Sequence, residues 1–254
     1  MSMELLKEVK QISSSKEFNY NQYANNKGEI NPKITALLCT LNEERNLPYV
    51  LPKIPSDVYE VLIVDGNSKD NTVKVVKQLL PSARILFQPG RGKGDALRYG
   101  IREAKGDIIV MLDADGSMAP EEIPLFVEPL LKGYDFVKGS RFLPGGGTSD
   151  MSMHRIFGNW VFTTLTNILH RCRYTDLCYG YNAFWKKAFD AVNFNGNGFE
   201  VETEINIRIR KAGLKVAEVP SFETERINGV GNLHSLKDGW RILTTIFKEV
   251  RTSV

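Results

Sequence analysis

The chain has 254 residues, 42% of them hydrophobic and 25% charged, with 33 Lys and Arg against 30 Asp and Glu for a net charge of +3. That balance describes an ordinary globular domain, and its small net charge excludes nucleic-acid binding by bulk attraction; an anionic partner has to be met by a local patch. Three cysteines, Cys39, Cys172 and Cys178, match no zinc spacing and leave one unpaired, as reduced thiols of a cytosolic protein would.

In chain order, residues 1–31 show no sustained period and read as a tail, partly disordered or with one short helix. The opening MSMELLKEVKQ is charged where a signal peptide needs an apolar core. From Pro32, apolar strands are expected at Ile34–Thr40, Val61–Asp65, Arg84–Phe87, Ile108–Leu112 and Phe136–Lys138. Helical patterns lie between them near Leu47–Leu51, Asp70–Leu80, Asp95–Ala104 and Pro120–Leu131. This alternation predicts an α/β domain over 32–234, built on a mostly parallel sheet with helices on both faces. An uncharged stretch, Ile156–Leu169, has basic flanks and suits either a core helix or an interfacial one. Residues 235–254 predict an amphipathic helix whose stripe is Leu236, Trp240, Leu243, Phe247 and Val250. No run reaches the roughly 20 apolar residues of a spanning helix. The expected location is cytoplasmic, with peripheral contact at the inner face of a membrane left open.

Ligands of such sheets bind at the carboxyl ends of the strands, where the chemically interesting residues collect. Thr40, Asn42 and Glu43 follow the first strand, and Asp65 ends the second as a candidate acceptor for a base or ribose. In QPGRGKGDALRYG the glycines let backbone approach a ligand while Arg91 and Lys93 supply charge suited to a diphosphate. The fourth strand runs into MLDADGS, where alternation puts Asp113 and Asp115 on one side of the chain. Two carboxylates so placed call for a cation. A calcium loop starting at Asp113 is excluded, because Met118 and Pro124 stand where Gly and Glu are required. A haloacid-dehalogenase-like phosphatase fits DADGS locally, but that motif belongs on a first strand.

Taken together, ALLCTLNEERNLPYVL, EVLIVDGNSKDNT, GKGDALRYGIREAKGDIIVMLDADGS, DFVKGSRF and EVPSFETERINGVGNL resemble family 2 glycosyltransferases of the GT-A fold. Among these the chain is most similar to dolichol-phosphate mannose synthases and bacterial polyprenyl-phosphate sugar transferases. The resemblance implies that Thr40, Asn42, Glu43 and Asp65 hold a UDP-, GDP- or TDP-sugar. It implies that Asp113 and Asp115 bind Mg²⁺ or Mn²⁺ with the donor diphosphate, and that Arg141 and Arg226 contact acceptor phosphate. It also implies inversion in one displacement, with Asp115 counted in the catalytic set. A phosphate-monoester acceptor is already a nucleophile near neutral pH, whereas a hydroxyl needs a general base, for which Glu200 or Glu202 is the candidate. Family members with hydroxyl acceptors place a catalytic acid in that region; acids complementing a helix N-terminus look the same. The chain departs from the lipid-phosphate pattern at Cys178, Tyr179, Asn182 and Asn232. The expected function is therefore an inverting, metal-dependent sugar transfer, with polyprenyl phosphate as the leading acceptor. A soluble hydroxyl compound or glycan is the second acceptor, and a phosphatase or a non-catalytic nucleotide-sugar-binding protein is the alternative of another class.

Overall fold

In the computed structural model, which describes residues 31–231 and 234–252, the unit from Lys33 to Val254 is organised around a seven-stranded sheet. The first four strands are β1 (Ile34–Thr40), β2 (Glu60–Asp65), β3 (Arg84–Phe87) and β4 (Ile108–Asp113). They pair in parallel in the order β3-β2-β1-β4, as an α/β alternation requires. β5 (Phe136–Ser140), β7 (Asn182–Trp185) and β8 (Val216–Pro220) complete the sheet, and Gly147–Thr148 (β6) pairs with Phe222–Glu223 (β9) apart from it. β7 runs antiparallel between β4 and β5, so the sheet is mixed rather than uniformly parallel.

The connections carry α1 (Leu47–Val50), α2 (Thr72–Leu79), α3 (Lys93–Glu103) and α4 (Ile123–Leu131). Three helices follow: α5 (Met153–His170), α6 (Glu200–Lys211) and α7 (Ser235–Arg251). β1, β2 and β4 are nearly continuous buried apolar runs, the pattern of strands covered on both faces. One core packs Leu37, Leu62, Ile109 and Phe184 of the sheet against Leu97 of α3 and Val201, Ile205 and Ile209 of α6. A smaller core joins Ile242 and Ile246 of α7 to Ile207 of α6 and to Cys172, Tyr174 and Leu177.

Two helices turn polar groups inward and apolar groups outward. On α5 the buried residues are Asn159, Thr163 and Thr166, while Met153, Phe157, Trp160 and Ile168 are exposed. The inward polar groups are used: Asn159 accepts the Cys178 amide and Thr163 the Leu177 amide. On α7, Asp238, Ile242, Ile246 and Glu249 face inward, and Leu236, Trp240, Phe247 and Val250 of the expected stripe face solvent. Periodicity identified the stripe but not its direction, because Glu249 finds Arg208 and Lys211 of α6 to pair with inside. No helix among the described residues is long and apolar enough to cross a membrane. Residues 1–30 and Asn232 lie outside the described residues.

Candidate functional site

The carboxyl ends of β1, β2 and β4 lie side by side, Thr40 in register with Asp65 and Cys39 with Asp113. Asp65 is buried and already engaged: it accepts the Thr40 hydroxyl at 3.0 Å, the Ser68 hydroxyl at 2.7 Å and the Ser68 amide at 2.9 Å. Across the same turn, Asn42, at φ 59°, donates its amide to Ser68 and accepts the Lys69 amide. The expected nucleotide-binding residues thus build a rigid floor, with Leu41 and Asn42 at its surface.

Asp113 is the last residue of β4, and Asp115 lies beyond it, in a bend closed by Gly116 at φ +85°. The strand-alternation argument therefore stops at Asp113, and the two carboxylates face different cations. Lys93 Nζ sits 2.7 Å from Asp113 Oδ1 and 2.7 Å from Glu202 Oε1. Arg226 Nη1 lies 3.2 Å from Asp115 Oδ2, and its Nη2 contacts both oxygens of Glu43 at 2.7 and 2.6 Å. Burial, with Asp115 and Glu202 nearby, pushes the Asp113 carboxyl up to about 6 against the opposing pull of Lys93. Burial alone would lower the Lys93 ammonium, but Asp113 and Glu202 outweigh it and hold the charge.

Lys93 precedes the helix expected near Asp95–Ala104. It is instead the first residue of α3, because Gly92, at φ +90°, turns the chain into the helix. Gly92 and Gly94 serve packing. Gly94 donates its amide to Asn197 O at 3.0 Å, and a Cβ at Gly92 or Gly94 would collide with the carbonyl oxygens of Asn197 and Gly196. Backbone cannot yield as a side chain can. Gly94→Ala is expected to cost about 1–3 kcal/mol, read by chemical denaturation. Arg91 is exposed beside this helix start.

Both candidate bases have partners within the protein. Glu202 is buried on Lys93, and Glu200 Oε1 accepts the Asn197 and Gly198 amides at 3.1 and 2.9 Å. Arg141 is not at the surface. Its guanidinium is divided between Asp176, at 2.7 and 2.9 Å, and Glu223, at 2.9 Å, over the Tyr179 ring. The expected contact of Arg141 with an acceptor phosphate is thus replaced by a buried three-way ion cluster. Tyr179 and Asn182, two of the departures from the lipid-phosphate pattern, are buried as well.

The segment that carries Arg226 is tied down along its length. Thr224 and Ile227 donate their amides to the carbonyls of Ser117 and Asp115, and Asn228 exchanges hydrogen bonds with Asn46. Its amino-acid pattern gave no sign of these partners, more than a hundred residues away in the chain.

The chemistry of the Asp113 and Asp115 donors fits a hard divalent cation. They are carboxylate oxygens, the donors that such cations take. Among the described residues no group of three or more His, Cys, Asp or Glu encloses a metal position. Two carboxylates leave further ligand positions to phosphate oxygens and water, the usual arrangement for Mg²⁺ beside a nucleotide.

A family profile described as Glycosyl transferase family 2 matches residues 35–192. The chain is 29% identical to the glycosyltransferase AglJ of Haloferax volcanii over 87% of its own length and 73% of that protein's. It is 30% identical to a dolichol-phosphate mannosyltransferase of Pyrococcus furiosus over 79% of its own length, spanning 59% of that longer protein. Its fold superposes with a TM-score of 0.72 on the glucosyl-3-phosphoglycerate synthase of Mycobacterium tuberculosis, crystallised with Mn²⁺, UDP and phosphoglyceric acid. That match covers 94% of this chain and 85% of the other at 21% identity.

Proposed function

The chain belongs to glycosyl transferase family 2, and from that premise we propose that it moves a sugar from a nucleotide-diphosphate sugar to the phosphate of a polyprenyl carrier. The observation that carries the acceptor reading is the engagement of Glu202, a carboxylate expected as a base, by Lys93; the other, Glu200, is held through Oε1 by two loop amides. A phosphate monoester, with a second pKa of about 6, is ionised near neutral pH and attacks without help. The name of the Pyrococcus relative, which matches over 79% of this chain, supports the same acceptor class.

In this reading the nucleoside of a UDP-, GDP- or TDP-sugar lies over the floor made by Thr40, Asn42 and Asp65. Lys93 and Arg91 face the diphosphate from the start of α3, whose first-turn amides add a favourable dipole. Asp113 and Asp115 would hold Mg²⁺ or Mn²⁺, which neutralises the charge that develops on the departing diphosphate. Arg226, beside Asp115, is placed for the acceptor phosphate, while Arg141 shapes the site from below without touching the ligand. Inversion follows from attack opposite the leaving group. Family membership sets the phosphatase reading aside.

The outward faces of α5 and α7 support delivery from a membrane surface. Trp160 is 61% exposed and Trp240 66% exposed, and Phe157 stacks on Trp160 at 5.9 Å. Lys237, Arg241, Lys248 and Arg251 flank the α7 stripe; α5 has no acidic residue, and both acids of α7, Asp238 and Glu249, are buried. Aromatic groups framed by cations match an anionic bilayer surface rather than a second copy of this equally basic face. The chain is expected to sediment with vesicles containing phosphatidylglycerol and not with pure phosphatidylcholine. Trp240→Glu should weaken that binding tenfold or more, the scale of one lost large apolar anchor.

A hydroxyl acceptor is favoured by one observation: Glu200 Oε2 is buried without a hydrogen-bond partner. Nucleotide release measured with a polyprenyl phosphate and with the matching polyprenyl alcohol separates the two. Release with the phosphate alone supports the proposal, and release with the alcohol transfers the base role to Glu200.

A further inference from the structure

Asp113 and Asp115 are each touched by a cation that a second, buried carboxylate holds from behind. Lys93 bridges Asp113 and Glu202 at 2.7 Å on both sides. Arg226 bridges Asp115 at 3.2 Å and Glu43 at 2.6 Å. The two chains of contact come from unrelated parts of the sequence, yet each has the same order of carboxylate, cation, carboxylate. We infer that Glu202 and Glu43 are positioning residues, which act through Lys93 and Arg226 to set the direction of the Asp113 and Asp115 carboxylates.

The rear carboxylates are more deeply buried than the front ones. Glu43 is buried in the turn before α1, where its amide donates to Thr72 Oγ1 at 2.8 Å and its Oε2 accepts Asn46 Nδ2 at 2.6 Å. Glu202 is buried in the first turn of α6. It is confined by Gly180, where a Cβ would lie 2.6 Å from Glu202 Oε1 and 3.2 Å from Lys93 Nζ. Side chains as long as Lys and Arg have many rotamers, and a fixed partner removes that freedom before any ligand arrives. The groups behind metal-binding side chains generally act in this way, by orienting the ligand and tuning its charge. A general base, by contrast, needs a free oxygen directed at the proton it removes. Glu202 Oε1 is directed at an ammonium.

This inference rests on the donor-site reading above and is tested by binding rather than by transfer. Mn²⁺-dependent binding of UDP, GDP and TDP to the full chain is measured by titration calorimetry for the wild type, Glu202→Gln, Glu43→Gln, Lys93→Met and the double variant Glu202→Gln with Lys93→Met. The expected result is a 10–100-fold loss of affinity for nucleotide with Mn²⁺ in each Gln variant. The double variant should bind no more weakly than Lys93→Met alone, since Glu202 acts only through Lys93. Unchanged affinity in both Gln variants overturns the inference, as does an additive loss in the double variant, which a general lesion of folding would also give. A wild-type chain that binds none of the three nucleotides with Mn²⁺ overturns the donor reading and this inference with it.

Discussion

Asp115→Asn is expected to lower kcat/KM for sugar transfer by about 10²–10³, the size of losing one major stabiliser of transition-state charge. Asn is nearly isosteric and keeps one carbonyl oxygen, so the Ser117 amide and hydroxyl that meet Asp115 Oδ1 at 3.0 and 2.7 Å can still be satisfied. What the substitution removes is the negative charge beside Arg226 and half of the pair proposed to hold the metal. Folding should survive, because the side chain is partly open to solvent. The check is steady-state transfer over a range of Mn²⁺ concentrations, together with nucleotide binding in the presence and absence of Mn²⁺. Loss of the metal-dependent part of binding is the expected outcome. Unchanged kcat/KM at every metal concentration would remove Asp115 from the site.

Arg141→Met is expected to destabilise the fold by about 3–5 kcal/mol, the usual cost of leaving a buried carboxylate without its partner. The guanidinium is 3% exposed and Asp176 is fully buried, so solvent does not soften the loss. The pH dependence has a definite sign. Burial alone would raise the Asp176 carboxyl, but Arg141 outweighs it and holds it below the ordinary range. A group whose folded pKa is lowered contributes stability above its unfolded value, about 3.9, and loses it as pH falls through the folded value. The deficit of the variant should therefore be full at neutral pH and shrink on acidification, as Asp176, no longer paired, takes up a proton. Urea denaturation at pH 7 and at successively lower pH checks both statements. A deficit that does not change with pH would place the stabilisation in packing over Tyr179 rather than in the ion cluster.

How far the sequence could be read depends on the range of the interactions involved. β1, β2 and β4 were legible because each is a short apolar run ending in a polar residue, a signal contained within six or seven positions. The clustering of Thr40, Asp65 and Asp113 at one edge followed from parallel pairing alone. β7 was not legible: NAFW is four residues long, and nothing in it says that it runs antiparallel between β4 and β5. The partners of Lys93 and Arg141 were not legible for a related reason. Their charges suggested ligand contact, but their partners, Glu202 and Glu223, come from elements 109 and 82 residues further on. On α5 and α7 the spacing was correctly helical, and the direction of each face was set by polar groups inside that only the folded chain brings together.

The central claim, sugar transfer from a nucleotide donor to a lipid phosphate, is tested most directly with labelled UDP-, GDP- and TDP-sugars and Mn²⁺, with and without polyprenyl phosphate, followed by partition into organic solvent. The account predicts label in the organic phase with one donor, dependent on both the lipid phosphate and the metal. Label that stays in water with every donor, while one of them is hydrolysed slowly in a metal-dependent way, would contradict the lipid acceptor.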